Sequence, residues 1–102
     1  MPPRVRFHPA ARAEIREARG WYEGEARGLG RAFLGELDAT LAFLARHPEM
    51  YEAVEADGSV RRALLHRVPY ALIYEVLPGG AAVVLACRHV RQEPSAGWRS
   101  RR

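Results

Sequence analysis

The apolar residues in the first part of the chain recur with the spacing of a strand and then of a helix. Residues 4–7, RVRF, alternate charged and apolar side chains and predict a short strand with Val5 and Phe7 facing a core. His8 and Pro9 then mark a boundary, because proline suits the first position of a helix. The apolar stripe of this first helix has spacings of four, three and four residues and consists of Ala11, Ile15, Ala18 and Tyr22.

A second apolar stripe predicts another helix from residue 29 to residue 47. Pro48 ends this helix, because the residue before a proline is pushed out of the helical region. The main positions of the stripe are Phe33, Leu37, Leu41 and Leu44. Gly24 and the Gly-Leu-Gly segment at residues 28–30 allow the chain to reverse between the helices. The two helices therefore form an antiparallel hairpin, which needs a sheet or another helix beneath its apolar stripe.

Three runs enriched in Val, Leu, Ile and Tyr follow at residues 59–68, 70–77 and 81–89 and predict three strands. The Pro-Gly-Gly segment at residues 78–80 is a tight-turn signal, so the strands on either side of it are antiparallel neighbours. We therefore predict an α+β fold in which an N-terminal strand and an α-helical hairpin precede a three-stranded antiparallel sheet, with the hairpin packed on one sheet face. Residues 92–102, QEPSAGWRSRR, lack periodicity and predict a flexible basic tail or a short strand extension.

The length and composition indicate one folded domain covering residues 1–102. A chain of 102 residues is long enough for one modest core, and 48% hydrophobic with 27% charged residues is an ordinary globular composition. The single cysteine, Cys87, lies in a predicted buried strand and is interpreted as a core thiol in a reducing cytoplasm. There is no signal-peptide apolar run and no apolar stretch near the roughly 20 residues that span a bilayer. We expect a cytoplasmic protein with no membrane partner.

All of the basic side chains other than histidine are arginines. The net charge is +4, the isoelectric point is near 10.0, and the sequence contains no lysine. Arginine binds phosphate and carboxylate in a bidentate manner, so the partner is expected to be anionic, either nucleic acid or an acidic protein. The codon usage of a genome rich in G and C is the alternative explanation. On the first helix, Arg12, Arg16 and Arg19 fall to one side of the apolar stripe, partly in solvent.

Several residues that resemble functional signals have a structural interpretation instead. Trp21 and Tyr22 are predicted to pack where the helices meet the sheet, because Tyr22 continues the apolar stripe. Gly28 and Gly30 lack the preceding strand and the further glycine of a dinucleotide fingerprint, so they predict a turn. The histidines show no paired spacing for a metal, and we expect neither a metal nor another cofactor. They are His8, His47, His66 and His89.

Five motifs in order carry a resemblance to a known family. The stretch HPAARAEIREARGWYEGEARGLGRAFLGELDATLAFLARHPEMY at residues 8–51 has an HP opening, WYE, GLG, a Phe-Leu pair and a closing HP. VRRALLHRVPYALIYEV and VVLACRHVRQEPSAGW then follow, with the last strand ending in Arg-His. Together these segments resemble the RelE/ParE superfamily of type II toxin-antitoxin toxins, and are most similar to the ParE-like, plasmid-stabilisation branch. The resemblance covers nearly the whole chain.

This resemblance implies one of two functions. ParE-like toxins inhibit DNA gyrase and have no catalytic residues of their own, whereas RelE-like toxins are ribosome-dependent mRNA interferases. RNA cleavage needs a base for the 2′-hydroxyl, cations for the phosphorane and an acid for the leaving oxygen, and the resemblance assigns these tasks to Arg62, Arg88 and His89. The match to the ribonucleases fails at residues 69–71, Pro-Tyr-Ala, and at Val90, where a terminal tyrosine is expected. We therefore favour the gyrase inhibitor, and a degenerate toxin retained as a binding module is the third alternative.

Whichever function applies, the resemblance implies an acidic, partly disordered antitoxin that forms a hetero-oligomer with the toxin and covers its arginines. Strand alternation places Arg61 and Arg67 on one sheet face and Arg62 on the other, so these arginines cannot all line one patch. Solvated arginines that keep a small sheet soluble and its edges unpaired are the structural alternative. The candidate residues for binding the target or the antitoxin are Arg61, Arg62, Arg67, Arg88, His89 and Arg91.

Overall fold

The computed structural model describes residues 4–92 and 97–102. The elements, in chain order, are strand β1 (Val5–Phe7), helices α1 (Pro9–Glu25) and α2 (Leu29–Arg46), strands β2 (Glu52–Ala53), β3 (Val60–Leu64), β4 (Tyr70–Val76) and β5 (Ala82–His89), and two 3₁₀ helices (Val90–Gln92 and Gly97–Arg101). The predicted α+β fold is therefore confirmed, and both predicted helices begin at the expected residues.

The sheet is larger than the sequence predicted, because it has five strands and is mixed. Its order is β1-β5-β4-β3-β2, in which β1 runs parallel to β5 and every other pair is antiparallel. The helical hairpin carries the chain from β1 at one edge of the sheet to β2 at the other, and the antiparallel strands then return to β5 beside β1. Strand β2 has only two residues, too few for a periodic pattern to reveal. The three-stranded antiparallel sheet of the prediction is its β3-β4-β5 part.

Both helices begin with caps that the sequence partly encodes. The imidazole of His8 accepts a hydrogen bond from the Ala10 backbone N–H at 3.0 Å, which satisfies one of the unpaired donors of the first turn of α1. Gly28 precedes α2 with a φ of 91°, a conformation that glycine adopts without strain. The carboxylate of Glu23 accepts hydrogen bonds from the N–H groups of Gly28 and Gly30 and so caps α2 from the end of α1.

The main core lies between the helical hairpin and one face of the sheet. The hairpin contributes buried residues from both predicted stripes, and the sheet contributes Leu72, Tyr74 and Val84. The Tyr74 hydroxyl donates a hydrogen bond of 2.6 Å to the Pro48 carbonyl, which fixes the end of the hairpin to the middle strand. Burial raises the pKa of this phenol to about 12, so it remains protonated as a donor.

A second, smaller apolar cluster lies on the opposite face of the sheet. Its buried residues are Val60, Ile73, Leu85, Ala86 and Trp98. A bulge between β4 and β5 helps to form it, because Tyr74 pairs with Val84 and Ile73 pairs with Ala86, which leaves Leu85 as the extra residue.

Trp98 corrects the prediction of a flexible tail. Gly97–Arg101 forms a 3₁₀ helix, and the Trp98 side chain is only 5% exposed. The sequence did not predict this packing. A single apolar residue in an arginine-rich segment has no periodicity from which burial could be recognised. Residues 93–96 of the predicted tail lie outside the described residues.

Candidate functional site

Arg61, on the helix-facing side of β3, holds the backbone that connects α2 to the sheet. Its guanidinium donates hydrogen bonds to the carbonyl oxygens of Gly58, Glu49 and Tyr51 at 3.1, 2.9 and 2.7 Å. These carbonyls lie in the connections on either side of β2. The geometry therefore gives Arg61 a structural task at the β2 edge of the sheet.

The three residues that RNA cleavage would use are divided between the two faces of the sheet. Arg62 pairs with Ile73, which pairs with Ala86, and alternation places Arg88 on the same face, opposite the helices. His89 lies on the helix-facing side, where its ring packs edge to face against Tyr70 with 5.1 Å between centroids. The sheet thus separates His89 from the face that carries Arg62.

The side chains of Arg88 and His89 also have partners within the protein. The guanidinium of Arg88 lies 3.8 Å from the carboxylate of Glu14. The Nδ1 atom of His89 accepts a hydrogen bond of 3.0 Å from the Arg91 backbone N–H. One of the two ring nitrogens of His89 is therefore occupied by the turn that follows β5.

Glu14 and Arg101 form a charged cluster that closes the free edge of β5, and sequence reasoning missed both. Strand β1 pairs with β5 only as far as Val84, so the main-chain groups beyond it need other partners. Glu14 accepts a hydrogen bond of 3.0 Å from the Cys87 N–H, and Arg101 donates one of 2.8 Å to the Leu85 carbonyl. Two further hydrogen bonds, of 3.0 and 2.9 Å, join Arg101 to Glu14.

The environment of Glu14 lowers its pKa. Burial alone raises the pKa, but the hydrogen bonds from Arg101 and the Cys87 N–H, together with the charges of Arg101 and Arg88, outweigh it. The contacts join residues 14 and 101 at opposite ends of the chain, so no local spacing could have indicated them.

The other C-terminal arginines are also held by carboxylates within the protein. Arg99 contacts Glu55 at 2.6 Å, and Arg102 contacts Glu75 at 2.9 Å. The basic end of the chain is thus fastened to the β2–β3 connection and to β4. This arrangement differs from a free basic tail that binds an external anion.

Arg67 lies at the rim of an apolar groove between α2 and the end of β3. The backbone of Arg67 is left-handed, with a φ of 65°, and its side chain is exposed. The groove has a volume of about 830 Å³ and leaves 50% of the Leu64 side chain exposed. Its lining consists of Glu36, Ala39, Thr40, Phe43, Tyr51, Leu64, Leu65, His66 and Arg67. The groove is therefore a candidate interaction site.

Trp21 corrects a further prediction, because it does not pack into the core. Tyr22 is stacked on Phe33 with 5.4 Å between ring centroids, as the apolar stripe predicted, but Trp21 is 58% exposed. Adjacent side chains on a helix point about 100° apart, so when Tyr22 lies in the buried stripe, Trp21 lies outside it. Trp21 and Arg88 line a cavity of about 310 Å³ between α1 and the end of β5.

Cys87 is a buried thiol, as predicted. Burial raises its pKa to about 12, with a smaller contribution from the charge of Glu14, so the sulfur is a neutral thiol. Within residues 4–92 and 97–102, no group of His, Cys, Asp or Glu side chains could hold a metal ion. No helix in this part of the chain has the length and apolar content to cross a membrane.

The fold and the comparison with known families together identify the chain. The helical hairpin on one face of a mixed sheet agrees with the α+β fold that the resemblance to RelE/ParE toxins implied. The model of the family described as "ParE toxin of type II toxin-antitoxin system, parDE" matches residues 5–94. The chain belongs to this family, so it is the toxin of a type II toxin-antitoxin system and has an antitoxin partner. A search of curated proteins found no match.

Proposed function

We propose that this toxin inhibits DNA gyrase and that an acidic antitoxin neutralises it in the cytoplasm. Membership of the ParE toxin family is the observation that carries this proposal. The alternative is RNA cleavage by Arg62, Arg88 and His89, which requires a base, an acid and cations gathered around one phosphate. The separation of His89 from Arg62 by the sheet, and the ion pair of Arg88 with Glu14, favour the non-enzymatic function.

Two of the predicted binding arginines are suited to contact a partner. Arg67 and Arg91 are exposed, and neither takes part in an ion pair among the described residues. Arg61 is engaged with three carbonyl groups, and Arg88 with Glu14. We assign the contact with gyrase to Arg91, which follows the last strand and lies in the part of the chain on which a ParE-like toxin should depend.

The groove beside α2 is the site that we assign to the antitoxin. Its exposed apolar residues, Phe43 and Leu64, would bury against the apolar side chains of an antitoxin segment that folds on binding. Arg67 at the rim supplies a cation for an antitoxin carboxylate. An acidic antitoxin, which is the partner expected for a basic toxin, would cover both this groove and the neighbouring arginine.

Supercoiling by purified gyrase, with and without the full chain, tests the proposal. We expect the wild-type protein to inhibit supercoiling and Arg91→Ala to weaken that inhibition, while Arg46→Ala, an exposed arginine at the end of α2, serves as the matched control. Unaffected gyrase, together with mRNA cleavage in a translating extract that Arg88→Ala and His89→Ala abolish, would establish the enzymatic alternative. Inactivity in both assays would indicate the degenerate toxin.

A further inference from the structure

Three arginines form a ridge along one flank of α1. Arg12, Arg16 and Arg19 are separated by four and three residues, so they succeed one another on the same side of the helix, and all three are exposed. None of them belongs to an ion pair among the described residues, whereas Arg99, Arg101 and Arg102 all do. The carboxylates of Glu14 and Glu17 line the cavity on the other flank of α1.

The charges of this helix oppose its own dipole. Carboxylates stabilise the first turn of a helix and cations the last turn, yet α1 has no acidic residue in its first turn and no basic residue in its last. Arg12 lies near the positive end of the helix, and Arg12 and Arg16 are like charges at a spacing of four residues, which is destabilising. The guanidinium of Arg12 also lies over the Phe7 ring, 4.9 Å from its centroid, whereas its charge has no carboxylate partner among the described residues.

The one carboxylate that follows the ridge is used elsewhere. Glu23 lies four residues after Arg19, but its oxygens accept the N–H groups of Gly28 and Gly30, which lower its pKa more than the charge of Arg19 does. Glu23 thus caps α2 and leaves Arg12 and Arg16 without a neutralising partner. An anionic ligand would remove both the repulsion and the conflict with the dipole.

We propose that the arginine ridge, Arg12, Arg16 and Arg19, binds the phosphodiester backbone of nucleic acid. Arginines three and four residues apart place their Cβ atoms about 5–6 Å apart, which lets each guanidinium meet its own phosphate. A protein or membrane partner would use large exposed apolar residues. Those of the described chain are Trp21, Leu29, Phe43, Met50 and Leu64, and the one on α1, Trp21, lies about half a turn around the helix from Arg12. The ridge is independent of the gyrase contact proposed above.

Fluorescence anisotropy with a labelled DNA duplex and a labelled single-stranded RNA, each of random sequence, tests this binding. The full chain is titrated between about 50 and 200 mM salt, because each phosphate contact contributes to the salt slope of the affinity about 0.9 on a DNA duplex and about 0.7 on a single strand. On the duplex, Arg12→Gln/Arg16→Gln should reduce the slope by about 1.8 and weaken binding about eightfold per arginine near 0.1 M salt. Arg27→Gln/Arg46→Gln, which removes two exposed arginines outside the ridge, is the control with the same net charge.

The comparison of the two double variants decides the outcome. A loss confined to the ridge variant, for either nucleic acid, supports the proposal. An equal loss in both variants would show that only the net charge matters and would overturn it, as would no binding by the wild-type chain at the lower salt concentration. Preferential binding to vesicles of an anionic phospholipid would overturn it in favour of a membrane surface. Thermal melting checks the fold. The ridge variant should melt close to the wild type, because it relieves the repulsion but loses the contact of Arg12 with the Phe7 ring.

Discussion

Replacing Trp98 by alanine tests whether the C-terminal segment is part of the fold. The indole is 5% exposed and packs in the cluster on the sheet face opposite the helices, while Arg99 covers its ring at 4.5 Å from the centroid. The remaining contacts of the segment are polar. They include ion pairs, which near the surface are worth about 0–1 kcal/mol each, and the hydrogen bond from Arg101 to the Leu85 carbonyl. Trp98 is therefore the main apolar attachment of residues 97–102.

The expected loss of stability is about 3 kcal/mol. A buried tryptophan covers about 150–250 Å², which at about 25 cal/mol per Å² corresponds to roughly 4–6 kcal/mol as an upper estimate. Truncations of buried Phe and Trp to alanine cost about 3–5 kcal/mol. The value lies at the lower end here because a segment at the end of the chain can detach and recover conformational entropy.

Urea unfolding followed by far-UV circular dichroism measures this loss, and Trp21→Ala provides the matched control. Trp21 is 58% exposed, so its removal should change the free energy of unfolding by less than about 0.5 kcal/mol. The chain has two tryptophans, so each variant keeps one: Trp21 in Trp98→Ala and Trp98 in Trp21→Ala. Acrylamide should quench the fluorescence of Trp98→Ala strongly and that of Trp21→Ala weakly.

Equal stabilities of the two variants would refute the argument. So would equal quenching, because it would place Trp98 in solvent as the flexible tail of the sequence prediction requires.

Three further substitutions test separate contacts. Tyr74→Phe removes the hydroxyl that bonds the end of α2 and should cost about 1–2 kcal/mol in urea unfolding, whereas Tyr51→Phe should cost less. Because the folded protein lowers the pKa of Glu14 below its ordinary value of 4.5, the stabilisation by this carboxylate is present above that pH and lost as the pH falls. The stability gap between the wild type and Glu14→Gln, from thermal melts, should therefore narrow below about pH 4.5, and a constant gap would contradict this. Gly30→Ala would place a methyl group 3.1 Å from a backbone oxygen and should destabilise α2, while Gly35→Ala, with open space around it, should stabilise it by about 0.5–1 kcal/mol.

Local patterns in the sequence determined the helices, the three longer strands and the family. The stripes that contain Ala11 and Phe33 have the period of a helix, and each is buried against the sheet because one face of an amphipathic helix must leave water. The His8-Pro9 boundary and the Gly-Leu-Gly turn act through backbone angles of adjacent residues, so they also could be recognised. The last strand was predicted to end in Arg-His, and β5 does end at His89.

Only the tertiary structure decided how the charged residues are used. The sequence indicated many arginines but could not divide them, because an arginine that bonds a carbonyl or carboxylate looks the same in sequence as one in solvent. Folding brings Arg101 to Glu14 across the free edge of β5 and packs Trp98 beneath the sheet, through contacts between distant parts of the chain. The physical reason is that main-chain groups at a strand edge, and apolar surface on an open sheet face, need partners wherever the chain can supply them. Arg67, Arg91 and the arginines of the ridge are exposed, and they are the ones for which we propose contacts with other molecules.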